Sequence, residues 1–182
     1  MQLAFYFDQS RCTGCQTCRV ACKDWNDVAP GSSSWLRIQS LEVGKFPDVS
    51  VKFLLFRCFH CAEPACIKAC PTSALSKREK DGIVIMNRES CNGCGTCREV
   101  CPYRAPQFRS TDELMEMCNF CLERVNAGLK PVCVDSCPQR ALDFGPLGIL
   151  SSRYPLAVSW TQGYPEPTLV KPSLLVKPRR NA

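Results

Sequence analysis

Sixteen of the 182 residues are cysteine, and all sixteen fall into four groups of four. Group I is Cys12, Cys15, Cys18 and Cys22; group II is Cys58, Cys61, Cys66 and Cys70; group III is Cys91, Cys94, Cys97 and Cys101; group IV is Cys118, Cys121, Cys133 and Cys137. Groups I and III share the spacing C-x2-C-x2-C-x3-C, group II widens the second gap to four residues, and group IV widens it to eleven. Proline follows the fourth cysteine in three groups (Pro71, Pro102, Pro138), and Lys23 takes that place in group I. Three thiolates two residues apart on a tight loop can surround one iron–sulfur cube, and the loop turns backbone N–H groups toward the sulfurs. Gly14, Gly93 and Gly95 help such loops to turn. The fourth cysteine, where a helix is expected to begin, points away and reaches the other cube of a pair. The pattern predicts four [4Fe-4S] clusters. Zinc would use repeated ligand pairs and has no need of triplets followed by Cys-Pro. A thiol-exchange site needs one C-x-x-C, not four, and the regularity argues against a disulfide framework.

The bulk composition agrees. The hydrophobic share of 45% includes the cysteines, and fourteen prolines and ten glycines interrupt regular elements. A thin core of this size calls for metals or cross-links. The start, MQLAFYFDQSRC, lacks the features of a secretory leader, so metal ligation is expected rather than disulfides. No apolar run approaches the roughly 20 residues of a membrane span, so no direct span is expected. The formal charge is +6. Four oxidised cubanes at about −2 each would bring it to about −2, so the basic balance neutralises clusters and implies no nucleic-acid partner. No phosphate-binding glycine loop is present. The single histidine, His60, cannot supply the two imidazoles of a Rieske centre and reads as a loop residue packing near a cluster. Lys23, Lys68 and Arg98 flank cysteines and either raise cluster potentials or are solvated surface charge. Trp25 and Trp35 read as packing or interface residues. No catalytic residue set is visible.

The segments between groups suggest how they pair. After group II comes a lead-out (Ala74-Leu75), a polar turn at Lys80-Asp81-Gly82, and a strand Ile83–Met86 running into group III. This makes one uninterrupted ferredoxin unit over residues 51–113. Group I has a strand-like lead-in with nothing before it, and group IV a lead-out, CPQRALDFGP, with no triplet after it. The two half-motifs complement each other if the chain ends meet, giving a discontinuous lobe of residues 1–50 with 114–145. Exchange of fourth cysteines then gives four ligand sets: Cys12, Cys15, Cys18 and Cys137; Cys22, Cys118, Cys121 and Cys133; Cys58, Cys61, Cys66 and Cys101; Cys70, Cys91, Cys94 and Cys97. Sequential pairing of I with II and III with IV is the alternative, and it leaves both half-motifs without complements. The expected fold class is α+β: two ferredoxin-type dicluster lobes, loop-rich, with short strands and helices around the clusters. Residues 146–182, with six prolines, are expected to form an extended C-terminal tail that wraps a partner, against the alternative of a disordered end.

The stretches CTGCQTCRVACKDW, CFHCAEPACIKACP, CNGCGTCREVCPYRAPQF and CNFCLERVNAGLKPVCVDSCPQRALDFGP, in this order, resemble the iron–sulfur subunits of the dimethyl sulfoxide reductase family of molybdenum and tungsten oxidoreductases. The resemblance is close over about residues 1–145. It implies pairing of I with IV and II with III, and cysteine at every ligand position. It also implies a large molybdenum- or tungsten-pterin catalytic subunit on the I/IV side. On the II/III side it implies a quinone-linked membrane subunit or another redox partner. Expected locations are the cytoplasm or the periphery of the cytoplasmic membrane, or the periplasm after export with a partner. The alternative function is a soluble polyferredoxin, or a subunit serving an aldehyde oxidoreductase or a hydrogenase.

Overall fold

The computed structural model describes residues 1–109 and 111–179. Small sheets and short helices mix throughout, as the interrupted composition requires. Strand β1 (Leu3–Asp8) is buried along its whole length, and it is the middle strand of a three-stranded sheet, between β8 (Leu142–Pro146) and β9 (Leu174–Lys177). A strand covered on both faces should read as an unbroken apolar run, and LAFYF does. β8 (Leu142–Pro146) pairs antiparallel with β1, with Phe5 opposite Phe144. The lead-in of group I therefore lies beside the lead-out of group IV. β4 (Leu75–Lys77) and β5 (Val84–Met86) pair antiparallel between groups II and III.

Two longer connections cross the boundaries expected from sequence. β2 (Leu36–Lys45) and β3 (Asp48–Arg57) form a ten-residue hairpin, with Leu36 opposite Arg57. The expected boundary at 50/51 falls inside β3. The boundary at 113/114 lies between β6 (Gln107–Phe108) and β7 (Met115–Glu116), which pair with each other. One continuous core also runs through both halves, from Phe5 and Phe7 through Leu55, Phe59 and Ile83 to Phe120 and Val176.

The segment expected to be an extended tail folds back on its own chain instead. Helix α6 (Leu147–Arg153) leads out of β8, and a 3-10 turn (Pro167–Leu169) precedes β9 (Leu174–Lys177). β9 runs parallel to β1, with Phe5 opposite Leu174, and Leu174, Leu175 and Val176 are buried. On the way, the N–H of Ala62 donates to the Lys171 carbonyl (2.8 Å) and the N–H of Ser173 to the Phe59 carbonyl (3.0 Å). The Lys177 ammonium meets the buried Asp8 carboxylate at 3.1 Å. The prolines break helix around this strand without preventing a short ladder. The last three residues, 180–182, lie outside the described residues.

Four helices carry the third cysteine of each group. These are α1 (Thr17–Trp25), α2 (Ala65–Lys68), α3 (Thr96–Glu99) and α5 (Val132–Asp135). A further helix, α4 (Leu122–Asn126), fills the wide gap of group IV. The cysteine spacing predicts a helix that starts at the fourth cysteine. The structure puts the third cysteine at the second helical position in all four cases, with the fourth one turn later.

Candidate iron–sulfur centres

The C-x3-C step is an i, i+4 step, and side chains at that spacing sit on one face of a helix, about 5–6 Å apart at Cβ. Only α1 holds both the third and fourth cysteines of its group, the buried Cys18 and Cys22, within the helix; α2, α3 and α5 end before Cys70, Cys101 and Cys137, which follow in the next turn of chain.

The preceding loops share one backbone device. The residue two after the first cysteine has positive φ in all four groups: Gly14 (69°), His60 (47°), Gly93 (70°) and Phe120 (65°). This left-handed turn swings its N–H back to the first sulfur. His60 N–H donates to Cys58 Sγ at 3.4 Å, Gly93 to Cys91 at 3.5 Å and Phe120 to Cys118 at 3.3 Å, and Gly14 donates likewise to Cys12. The fourth cysteines have a second device. Ser73, Arg104 and Arg140, three residues beyond them, also have positive φ. The next N–H then donates to sulfur: Ala105 to Cys101 at 3.5 Å and Ala141 to Cys137 at 3.3 Å, with Ala74 doing the same for Cys70. Group I, which lacks the proline, uses a side chain, and Asn26 Nδ2 stands 3.7 Å from Cys22 Sγ. Threonine hydroxyls lie beside three of the more exposed thiols, Thr17 at Cys15 (3.3 Å), Thr96 at Cys94 (3.4 Å) and Thr72 at Cys70 (3.6 Å). Donors aimed at sulfur stabilise thiolate, the form that ligates metal.

The thiols gather across the groups. Cys12, Cys15, Cys18 and Cys137 line one cavity together with Gly14 and Pro138. Burial first, then Cys133, Cys137, Cys12 and Cys15, pushes the Cys18 thiol up to about 12. Burial and then Cys118 raise Cys22, which also lies within electrostatic reach of Cys133 and Cys121. In the other half, burial, then Cys101 and Cys66, push Cys61 up to about 12. Burial, then Cys66, Cys91, Cys94 and Cys70, do the same to Cys97. Cys58 has Cys118 as its foremost charged neighbour, so the two halves meet at groups II and IV.

All sixteen cysteines are free of disulfides. Among the described residues no three His, Cys, Asp or Glu side chains stand close enough to share a single metal ion. Four thiolates on one zinc would be about 3.8 Å apart, given Zn–S near 2.3 Å, whereas thiolates at the corners of an iron–sulfur cube stand further apart. Four convergent thiols, left-handed loops and N–H donors to sulfur fit [4Fe-4S] clusters.

The other residues singled out from sequence have definite places. His60 is fully buried. Its Nδ1 accepts the Val84 N–H at 3.0 Å, so the proton is on Nε2. Burial, then the charge of Arg57, pushes it down to about 3, and the ring is neutral. The Lys23 ammonium donates to the carbonyls of Gly31 (3.1 Å) and Ser33 (2.9 Å). Lys68 is exposed. Trp35 lies in the core, and Trp25 is half-exposed under the Arg124 guanidinium, 4.9 Å from its ring centre. Arg57, which no residue pattern singled out, is buried among the cluster thiols. The signal for it is its place at the end of the apolar strand FLLFR, directly before Cys58.

Comparison with known proteins places this arrangement. Residues 11–75 and 49–147 match models described as the 4Fe-4S dicluster domain. The sequence is 41% identical to one chain of the anaerobic dimethyl sulfoxide reductase of Escherichia coli (strain K12), an alignment covering 100% of the present chain and 91% of that one. It is 33% identical to one subunit of the sulfite dehydrogenase of Allochromatium vinosum, over 90% of the present chain and 76% of that one. It is 39% identical to protein NrfC of Escherichia coli (strain K12), over 77% and 63%. No helix of the described residues is long and apolar enough to cross a membrane. The protein belongs to the 4Fe-4S dicluster family, among the iron–sulfur subunits of the dimethyl sulfoxide reductase type, and is an electron-transfer subunit of an oxidoreductase rather than its catalytic chain.

Proposed function

We propose that the protein carries four [4Fe-4S] clusters, held by the four mixed ligand sets predicted from sequence. We further propose that it conducts electrons between a molybdenum- or tungsten-pterin catalytic subunit and a quinone-linked membrane subunit or other redox partner. When bound, the clusters supply one-electron carriers that take up and release charge without bond rearrangement. The carrying observation is the gathering of Cys137 with Cys12, Cys15 and Cys18 around one cavity, since Cys137 is more than a hundred residues from the other three in sequence. The neighbours of Cys22, Cys61 and Cys97 support the other three sets in the same way.

The protein's own residues do four things in this reading. Sixteen thiolates bind. The left-handed loops hold N–H donors at sulfur and lower the cost of concentrated negative charge. The shared aromatic core around Phe5, Phe59 and Phe120 excludes water between the halves. The group II loop and its neighbour Cys118 bring the two halves within reach of each other. The relatives are components of a reductase and of a dehydrogenase, which supports a catalytic partner in a multi-subunit oxidoreductase. The location of the protein follows that partner, at the cytoplasmic membrane on the side to which the partner is delivered.

Affinity isolation of the tagged protein from its native cells under anaerobic conditions tests the assembly. A large polypeptide with molybdenum or tungsten pterin is expected to co-purify. A monomer that exchanges electrons with several unrelated enzymes would replace this reading with that of a soluble polyferredoxin.

A further inference from the structure

Arg57 is the largest fully buried side chain, at 1% exposure. Its Nη2 stands 2.7 Å from Cys118 Sγ and its Nη1 3.0 Å from Cys133 Sγ. The guanidinium carbon lies 3.5 Å over the Phe5 ring, and Phe5 itself stacks on Phe120 at 4.1 Å. None of the ion pairs among the described residues involves Arg57. A buried cation without a carboxylate needs another anion, and the anions within its reach are the sulfurs of Cys118 and Cys133. Arginine stays protonated in proteins, so the guanidinium brings a fixed positive charge to these sulfurs.

The position in the chain matters as much as the contact. Arg57 ends β3 and immediately precedes Cys58, a ligand of a different proposed set, while its side chain reaches across to Cys118 and Cys133. It therefore sits at the junction of the two halves.

We infer that Arg57 is a positioning residue that raises the reduction potential of the cluster held by Cys22, Cys118, Cys121 and Cys133, and so makes the junction of the two halves the favoured resting place for an electron. The inference rests on the four-cluster reading above. One-electron reduction adds one negative charge to that ligand set and no proton. A fixed cation donating two hydrogen bonds to its sulfurs stabilises the reduced form more than the oxidised one.

The test is an EPR-monitored redox titration of the protein in its complex, with dithionite as reductant through mediators, for wild type, Arg57→Gln, Arg57→Met and Arg57→Lys. Iron is counted first. About sixteen irons in wild type uphold the four-cluster reading, and clearly fewer would refute that reading before Arg57 is considered. With the irons present, Arg57→Gln and Arg57→Met are expected to weaken reduction of one cluster at least tenfold, a negative shift of about 59 mV or more for one electron. The other three midpoints should stay put, and Arg57→Lys should recover most of the loss. Four unchanged midpoints, a positive shift, or equal shifts in all four would overturn the inference. If Arg57→Met does not load fully, the Gln and Lys variants decide between them. Failure of both to load would overturn it too, because Arg57 would then serve folding and not potential.

Discussion

Replacing Gly93 with alanine should damage the group III loop far more than the same change at Gly128. Both residues have left-handed backbone, φ 70° and 75°. An alanine forced there costs about 1–2 kcal/mol from its own sterics. At Gly128 nothing lies within 4 Å of an added Cβ, so that strain is the whole cost. At Gly93 the Cβ would meet the Glu113 carbonyl oxygen at 2.6 Å, and backbone cannot swing aside as a side-chain tip can. Overpacking of this kind adds about 1–3 kcal/mol, giving about 2–5 kcal/mol in all, a large part of the total for a small protein. Relief would come from shifting the loop, and that would pull the Gly93 N–H off Cys91. Gly14 is intermediate, since its Cβ would strike the Phe53 ring and a ring can move at some cost. The assay is thermal unfolding together with iron and acid-labile sulfide per chain, measured under anaerobic conditions. Gly128→Ala should keep its iron and lose a few degrees at most. Gly93→Ala should unfold at clearly lower temperature and lose the irons of one cluster. Equal behaviour of the two variants would refute the claim that the left-handed loop and its tight surroundings hold the ligands.

Three further outcomes are expected. If Cys137 joins Cys12 at one cluster and Cys22 serves another, Cys12→Ser with Cys137→Ser should lose no more iron than either change alone, while Cys12→Ser with Cys22→Ser should lose about twice as much; the reverse result would refute the proposed ligand sets. Truncation before Val170 should destabilise the protein itself, because Leu174, Leu175 and Val176 are buried against β1 and each such side chain is worth about 1.5–3 kcal/mol, and an unchanged melting temperature would show that β9 is dispensable. His60, neutral in the fold because burial and Arg57 hold it down to about 3, gains a proton near pH 6.5 only when the protein unfolds. Its share of stability is therefore present above about pH 6.5 and lost as pH falls toward 3, roughly 1.4 kcal/mol per unit, so denaturant midpoints at pH 7.5 and 5.5 should differ more for wild type than for His60→Asn.

Some of this protein is written locally and some is not. The four cysteine groups were legible because ligand spacing is set by the covalent chain, and the C-x3-C step brings the fourth thiol about one turn beyond the third, within one helix in group I. The complement between the group I lead-in and the group IV lead-out was legible for a similar reason, and β1 and β8 do pair. The parallel pairing of β9 with β1 was not, because it joins the two ends of the chain, and a proline-rich segment carries no mark of its partner. The left-handed turn could be read at Gly14 and Gly93 but was disguised at His60 and Phe120, where packing in the core compensates for the steric cost of a side chain. Arg57 went unseen because an arginine next to a loop ordinarily reaches water, and only the tertiary fold turns it inward onto Cys118 and Cys133. The expected lobe boundaries at 50/51 and 113/114 fall within the β2–β3 hairpin and between the paired strands β6 and β7, pairings that composition alone does not mark.

The most direct test of the central claim is the count of iron and acid-labile sulfide in anaerobically purified protein, referred to protein mass. Four four-iron clusters predict about sixteen irons and about sixteen sulfides per 20.3 kDa chain. About eight of each, or stoichiometric zinc in a colourless folded protein, would contradict it.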